Sequence, residues 1–514
     1  HTMLSGLSVT LIALGYLGLL FAIAYLGDRS RAGKSWAGNP IIYSLSLAVY
    51  CSSWTFYGAV GRAHTTGWEF LATYIGPVIV FIFGWQVIEK ISRVSKQQNI
   101  TTISDFISSR YGKSQTIAVL VTVIAVLGTI PYIALQLKAV AVSYNAIAPA
   151  ATEALSKGSD TALVVALTMA LFAILFGTRH IDATEHHQGL VLAVAFESVI
   201  KLTAFLAVGF FVTFEFYGGV EQTVASVQSQ LHSTNFSGSL FAGSFLTEIL
   251  LACGAIICLP RQFHVTIVEN IKHNNLRIAR WLFPAYLFLL ALFVLPIASA
   301  GAISLPTFAL NPDSWVLTLP LSQGYPGLAT FAFIGGLSAA TSMVIVASIT
   351  LATMVCNDIV IPILLRIPSL RIAESKDLGR LLLSVRRITI FLILLMGYFY
   401  YRILGDQGSL ASFGLLAFVA AIQFLPSIIG ALYWKEGNRN GAIAGLVSGF
   451  ALWCYTLVYP VFEVANLVPD TLIRDGVIPT WLQPTSLFGI QGINPLTHGV
   501  IWSLGINILA YYLV

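Results

Sequence analysis

Apolar stretches of eighteen or more residues recur along the whole chain, and no other feature limits its folding as strongly. Each stretch can cross a hydrocarbon layer of roughly 30 Å at about 1.5 Å per residue, and at that depth only a helix satisfies its backbone groups locally. The runs fall near 4–27, 38–60, 67–89, 115–148, 160–178, 188–216, 240–260, 281–303, 326–352, 384–401, 410–434, 440–461 and 495–514. They predict an all-α polytopic membrane protein with thirteen transmembrane helices. Runs 115–148 and 188–216 exceed one membrane thickness, which tilt or extension into a loop absorbs. Composition agrees: charged residues make up 10% of the chain, against about a quarter in soluble domains.

An odd number of spans puts the termini on opposite sides, and Lys and Arg decide which is which. With the N-terminus outside, the inner loops and span ends collect residues such as Arg29, Lys34, Lys90, Arg110, Arg277, Arg366, Arg386 and Arg439, twenty-one in all. The outer side keeps four: Arg62, Lys157, Arg402 and Arg474. This positive-inside bias predicts an N-terminus outside and a cytoplasmic C-terminus. The formal charge of +5 is therefore a topology signal. No basic patch is interleaved with exposed aromatics, so nucleic acid is not an expected partner.

The outer loops 217–239, 303–325 and 462–494 are expected to hold short surface helices. The inner segment Thr102 to Tyr111 has the pattern of an amphipathic helix, lying either on the membrane surface or against the bundle. The opening His1-Thr2-Met3 reads as a cloning scar with the natural start at Met3. Leu4 to Leu26 lacks the basic region and cleavage site of a signal peptide, so it reads as a retained span. Five cysteines offer no disulfide framework and no metal spacing, and are expected to be packing residues.

Charge inside a span is costly unless it is paired or hydrated. Glu197 and Lys201, four residues apart in the sixth span, share a helical face and can form a buried ion pair, either structural or functional. Lys138 follows Tyr132 and Gln136 in the fourth span with no acid within a turn. Its ammonium must snorkel, face a wet cavity or meet a carboxylate from another helix. Glu248 precedes Cys253-Gly254 and Pro260-Arg261 in the seventh span, where Gly and Pro mark either an interrupted helix lining a cavity or close helix packing. The second span crowds hydroxyls, small residues and aromatics into Ala48-Val49-Tyr50-Cys51-Ser52-Ser53-Trp54-Thr55-Phe56-Tyr57-Gly58. Gly335-Gly336-Leu337-Ser338-Ala339-Ala340-Thr341-Ser342 repeats that character in the ninth. Hydroxyls and free carbonyls at such sites are hard oxygen ligands suited to Na⁺, and packing is the competing account. His264 and Arg261 lie at the inner mouth of the seventh span as a candidate gate. His180, His186 and His187 cluster with Asp182 and Glu185, but their spacing matches no zinc motif, and no metal site is expected. Phosphate loops, Ca²⁺ loops and nucleophile elbows are missing from the sequence, so no catalytic site is expected in this chain.

Five strings carry a resemblance: Trp54-Thr55-Phe56-Tyr57-Gly58, Tyr132-Ile133-Ala134-Leu135-Gln136-Leu137-Lys138, Phe196-Glu197-Ser198-Val199-Ile200-Lys201, Cys258-Leu259-Pro260-Arg261-Gln262-Phe263-His264-Val265 and Thr497-His498-Gly499-Val500-Ile501-Trp502-Ser503-Leu504. The chain resembles the sodium/solute symporters, and within them the symporter-like input domains of bacterial sensor histidine kinases controlling carbon and nitrogen use. The resemblance implies a five-plus-five inverted-repeat transporter fold over spans two to eleven, residues 38–434. Residues 4–37 stand before it and 435–514 after it, with cytoplasmic kinase domains of the same polypeptide following Val514 and a response regulator as partner. The broken helices are then spans two and seven. Between the break in span two and span nine the resemblance implies a Na⁺ site formed by Ala48 and Cys51 carbonyls with Ala339, Ser342 and Met343. A thioether is a poor ligand for a hard cation, and Tyr50 replaces an acid found in several symporters, so this sodium site is expected to be weak and H⁺ becomes an alternative coupling ion. The expected ligand is a small amino acid, L-histidine first, in a mid-membrane cavity lined by Trp54, Tyr57, Tyr132, Gln136, Lys138 and Glu248. A stand-alone Na⁺- or H⁺-coupled symporter is the other reading.

Overall fold

The computed structural model describes residues 5–149, 160–177, 187–233, 243–305, 311–370, 377–405 and 408–514, and every regular element among them is helical. Helix α1 (Gly6–Arg29) starts where the Ser5 hydroxyl accepts the Ser8 N–H, a side-chain cap. Only 28% of its most apolar window is buried, so α1 lies at the periphery.

The next span is interrupted. Helix α2 (Pro40–Ser46) begins with Pro at its first turn under an Asn39 cap and tightens into a 3₁₀ turn, Leu47–Tyr50. Cys51 then adopts ψ 92°, ending the helix, and the chain restarts as a π-turn, Trp54–Gly58, leading into α3 (Ala59–Thr66). No Gly or Pro stands at this break. The Ser52 side chain instead accepts the Trp54 N–H at 3.3 Å, offering the backbone a local substitute for the helical ladder. Helices α4 (Ala72–Phe83) and α5 (Trp85–Gln97) follow.

Helix α6 (Ile103–Arg110) answers the amphipathic pattern, but protein covers its apolar face: Ile103, Phe106 and Ile107 are fully buried. Tyr111 Oη donates to Ser427 O at 2.7 Å and Arg110 Nη2 to Ala431 O at 3.0 Å, tying the segment to the bundle. Helices α7 (Gln115–Ile147), α8 (Thr161–Gly177) and α9 (Gln188–Phe210) come next.

The second interruption follows α10 (Phe245–Cys258). Leu259 takes ψ 128°, Pro260 has no N–H to donate, and α11 (Pro260–Phe263) with its π-turn continuation to Val268 leaves at 52°. Helices α12 (Asn275–Leu292), α13 (Val294–Ser304), α14 (Pro326–Val355), α15 (Leu378–Leu404), α16 (Leu410–Ile422), α17 (Leu425–Tyr433), α18 (Arg439–Trp453) and α19 (Pro495–Leu513) complete the described chain. The core is built on α7, α14 and α16, whose spans are 72%, 72% and 78% buried over their most apolar windows. Backbones approach closely where residues are small: a Cβ on Gly128 would lie 2.5 Å from that of Ala420.

Among the described residues, ten helices are long and apolar enough to cross a membrane, or eleven if the bent pair Phe245–Cys258 and Pro260–Val268 is one span. The expected thirteen is not established on this measure. The run at 38–60 splits at its break into the short Pro40–Tyr50 and the start of a 30-residue stretch, Trp54–Phe83, which also holds the third run. The run at 160–178 yields a helix of 17 residues. The segments 217–239 and 303–325 carry the short helices Val220–Ser233 and Trp315–Ser322 among their described residues. The five cysteines are free thiols.

Candidate functional site

The two interrupted helices bond to each other through buried side chains. Tyr43 Oη donates to Thr266 O at 2.7 Å, and Gln262 Nε2 reaches Leu47 O at 3.2 Å. Leu47 O belongs to the 3₁₀ turn before the first break and Thr266 O to the π-turn that ends the second interrupted helix.

Helix α7 supplies Tyr132 and Gln136. Tyr132 Oη and Ser52 Oγ are 2.7 Å apart, and the Ser53 N–H donates to Gln136 Oε1 at 3.1 Å, so both α7 residues engage the first break. The Trp54 ring lies edge-on to Tyr132 at 6.2 Å and 4.8 Å from Phe418. Arg261, in the first turn after the second break, places its guanidinium 4.4 Å over the Tyr132 ring. Sequence assigned Arg261 to an inner gate. The structure places it against the Tyr132 ring, directly after the extended Leu259.

Several polar atoms here are buried without a hydrogen-bond partner among the described residues: Arg261 Nε and Nη2, Gln136 Nε2, Ser53 Oγ and Tyr57 Oη. A cavity of about 10 Å³ lies here, lined by Thr129, Tyr132, Leu259, Pro260, Arg261 and Phe424 among others. That is space for about one water. Tyr57 and Lys138 line a second cavity of similar size with Asp313 and Leu410. Lys138 does not join the Tyr132 cluster. Its ammonium donates to Gly408 O at 2.9 Å and lies 5.3 Å from the Phe413 ring.

Glu248 also stands apart from the expected cavity. Its carboxylate is bound by Arg62 and accepts from Ser244 Oγ at 2.8 Å, and Arg62 holds Glu69 as well at 3.3 Å. His264 Nε2 lies 3.0 Å from Glu269 Oε1, which also accepts the His187 N–H at 2.8 Å. A cavity of about 530 Å³ opens nearby, lined by Lys96, Asn99, Gln188, Val268 and Asn270. His180, Asp182, Glu185 and His186 lie outside the described residues.

Glu197 and Lys201 are both buried but do not close the expected ion pair. Glu197 accepts from Thr341 Oγ1 of α14 at 2.7 Å. Lys201 reaches the other way, to the first break, and donates to Ala48 O at 2.5 Å and Cys51 O at 2.7 Å. Those two carbonyls are the ones the family resemblance gives to sodium. On the α14 side Ser342 Oγ donates to Ala339 O at 3.2 Å, and Met343 is fully buried. With two oxygens turned to an ammonium and a thioether in a ligand position, these residues do not fit a sodium ion. Ser52 and Thr341 stood in the hydroxyl-rich strings and Gln262 in a family string, but none was singled out as a site residue. Hydroxyl crowding at the first break was the signal for Ser52.

Residues 31–449 match the family described as Sodium:solute symporter family. Among curated proteins, the chain is 22% identical to the uncharacterized symporter YhjB of Bacillus subtilis (strain 168), over 85% of this chain and 87% of the relative. It is likewise 22% identical to the sodium/pantothenate symporter of Escherichia coli (strain K12), over 91% and 94%. Among solved structures, a Na⁺-coupled sialic acid symporter in a substrate-bound outward-open state superposes with a TM-score of 0.65 at 15% identity, covering 98% of this chain and 96% of that one. The last likeness is one of fold.

Proposed function

Because the chain belongs to the sodium:solute symporter family, we propose that it carries a small carboxylate-bearing solute, an amino acid foremost, across the bilayer by way of the Tyr132–Arg261 cluster. One observation carries this reading: Arg261 is 2% exposed, lies against an aromatic ring, and keeps Nε and Nη2 without an acceptor among the described residues. A guanidinium buried in a membrane protein needs an anion, and its planar fork fits a carboxylate with two parallel hydrogen bonds. Ser53 Oγ, Tyr57 Oη and Gln136 Nε2 add polar atoms for the rest of an amino acid. Two similar proteins are named for pantothenate and sialic acid, solutes that each bear a carboxylate.

L-Histidine remains the first candidate through the resemblance of the quoted strings. The same resemblance supports a finer reading in which occupancy of this site is passed to kinase domains and a response regulator, and transport does not depend on it. The five-plus-five inverted repeat fits two helices broken at Cys51 and Leu259. The Lys and Arg bias supports an inner-membrane orientation with the N-terminus outside.

The test is uptake of labelled L-histidine and other amino acids into proteoliposomes, with Na⁺ and pH gradients imposed separately. Histidinamide, which lacks the carboxylate, should compete on the order of 100-fold more weakly than histidine. R261Q should lose uptake. Equal competition by the amide, or full uptake by R261Q, would overturn the assignment of Arg261.

A further inference from the structure

A helix interrupted deep in a membrane protein exposes carbonyl oxygens that lipid cannot satisfy. At the first break these include Cys51 O, and Ala48 O, which already accepts the Cys51 N–H at 2.9 Å and has a second lone pair to offer. A single compact cation between them meets that need, whether a metal ion coordinated by oxygen or an ammonium donating hydrogen bonds. In this chain the cation is covalently attached. Lys201 is 1% exposed and its ammonium donates to both oxygens, at 2.5 and 2.7 Å.

Every neighbouring element agrees with that occupant. Glu197, one turn earlier on α9, turns its carboxylate to Thr341 and leaves the ammonium directed at the break. From α14, Ser342 spends its hydroxyl hydrogen on Ala339 O, and the next side chain is the thioether of Met343. A sodium ion in the same place would stand against a fixed positive charge while sharing its two best ligands.

We propose that the Lys201 ammonium is the resident cation of this position, a tethered charge that bridges α9 to the first break where the family resemblance places sodium, so that the chain takes up no sodium there. The inference is independent of the carboxylate reading, and its test uses no substrate.

The probe is the metal itself. Purified full-length chain is melted in NaCl and in KCl at equal ionic strength, as wild type and as Lys201→Ala. The wild type should melt alike in both salts. The variant exposes two carbonyls without their cation, and sodium should raise its melting temperature over potassium by on the order of 2 °C or more, saturably. A folded variant with no sodium preference would overturn the proposal. Hydrogen exchange of residues 47–53 in the wild type covers the case in which the variant does not fold. Unchanged exchange between the salts supports a resident ammonium, and protection by sodium refutes it.

Discussion

Gly336 of α14 faces Tyr57, and the geometry allows a definite prediction for G336A. A Cβ at this position would lie 2.0 Å from Tyr57 Oη, 2.3 Å from Cζ and 2.4 Å from Cε2. The ring must retreat by about 1.4 Å to restore contact at 3.4 Å. It cannot do so freely, because Tyr57 is 2% exposed, sits in the π-turn after the first break, and packs at 4.9 Å against Phe56, itself 5.5 Å from Phe205. Overpacking of this kind costs about 1–3 kcal/mol, and the better helix propensity of Ala returns up to about 1 kcal/mol. Gly505 in α19 is the control, since nothing stands within 4 Å of a Cβ there, so G505A should hold or raise the melting temperature in detergent. G336A should lower it. Adding Tyr57→Leu removes the atoms in conflict, so the double variant should melt above the additive expectation by about 1 kcal/mol or more. If G336A melted like G505A, or the double variant were strictly additive, the aromatic seat of the first break would be misdescribed.

Arg62→Ala leaves the Glu248 carboxylate, 2% exposed, with only the Ser244 hydroxyl, and should cost about 3 kcal/mol; Arg62→Ala combined with Glu248→Leu should recover most of the lost melting temperature, and equal melting of single and double variants would count against the pair. Burial pushes the Asp313 carboxyl up to about 6 from its ordinary 3.8, against the opposing effects of the Leu410 N–H and the Lys138 charge. The folded state then holds a proton that the unfolded chain releases, so this contribution is complete below pH 3.8 and is lost as pH rises through about 6, a change of about 3 kcal/mol. Asp313→Asn has no such proton, and the difference in melting temperature between wild type and variant should shift against the wild type between pH 4 and about 7; a difference that stayed constant over that range would contradict it.

The helices were legible because hydrocarbon imposes length and apolarity on each one, and the second break was legible because Pro260 has no N–H to donate. The first break left only a crowd of hydroxyls, since its cause is the local capping by Ser52, a residue type equally common in helix packing. The partners of Lys201 were not legible. Spacing by four points along one helix to Glu197, whereas the acceptors lie 153 and 150 residues earlier and are backbone atoms, which carry no residue identity. The contact of Arg261 with the Tyr132 ring was not legible either, because the two residues are far apart in sequence and no spacing rule joins them. Residues 102–111 show the limit of periodicity, because an apolar face looks the same whether lipid or Ser427 and its neighbours cover it.

Met343 separates two explanations for a weak sodium position. If its thioether alone kept sodium out, M343T would restore a hydroxyl and create sodium dependence in an otherwise unchanged chain. With the Lys201 ammonium on Ala48 O and Cys51 O, the new hydroxyl would complete a ligand set whose other members are already committed. A helical Thr at 343 would also tend to donate to the carbonyl at position 339, the acceptor Ser342 already uses, leaving a lone pair as its useful contribution. M343T alone should therefore melt alike in NaCl and KCl, at a temperature lowered by the loss of buried thioether volume. The same substitution in the Lys201→Ala background should enlarge the sodium-specific rise beyond that of Lys201→Ala by itself, because an added oxygen then meets a cation able to use it. The two substitutions thus act in a fixed order, with the charge removed before the hydroxyl counts. Sodium dependence in M343T with Lys201 intact would mean that the ammonium moves aside at little cost, and that the thioether was the barrier.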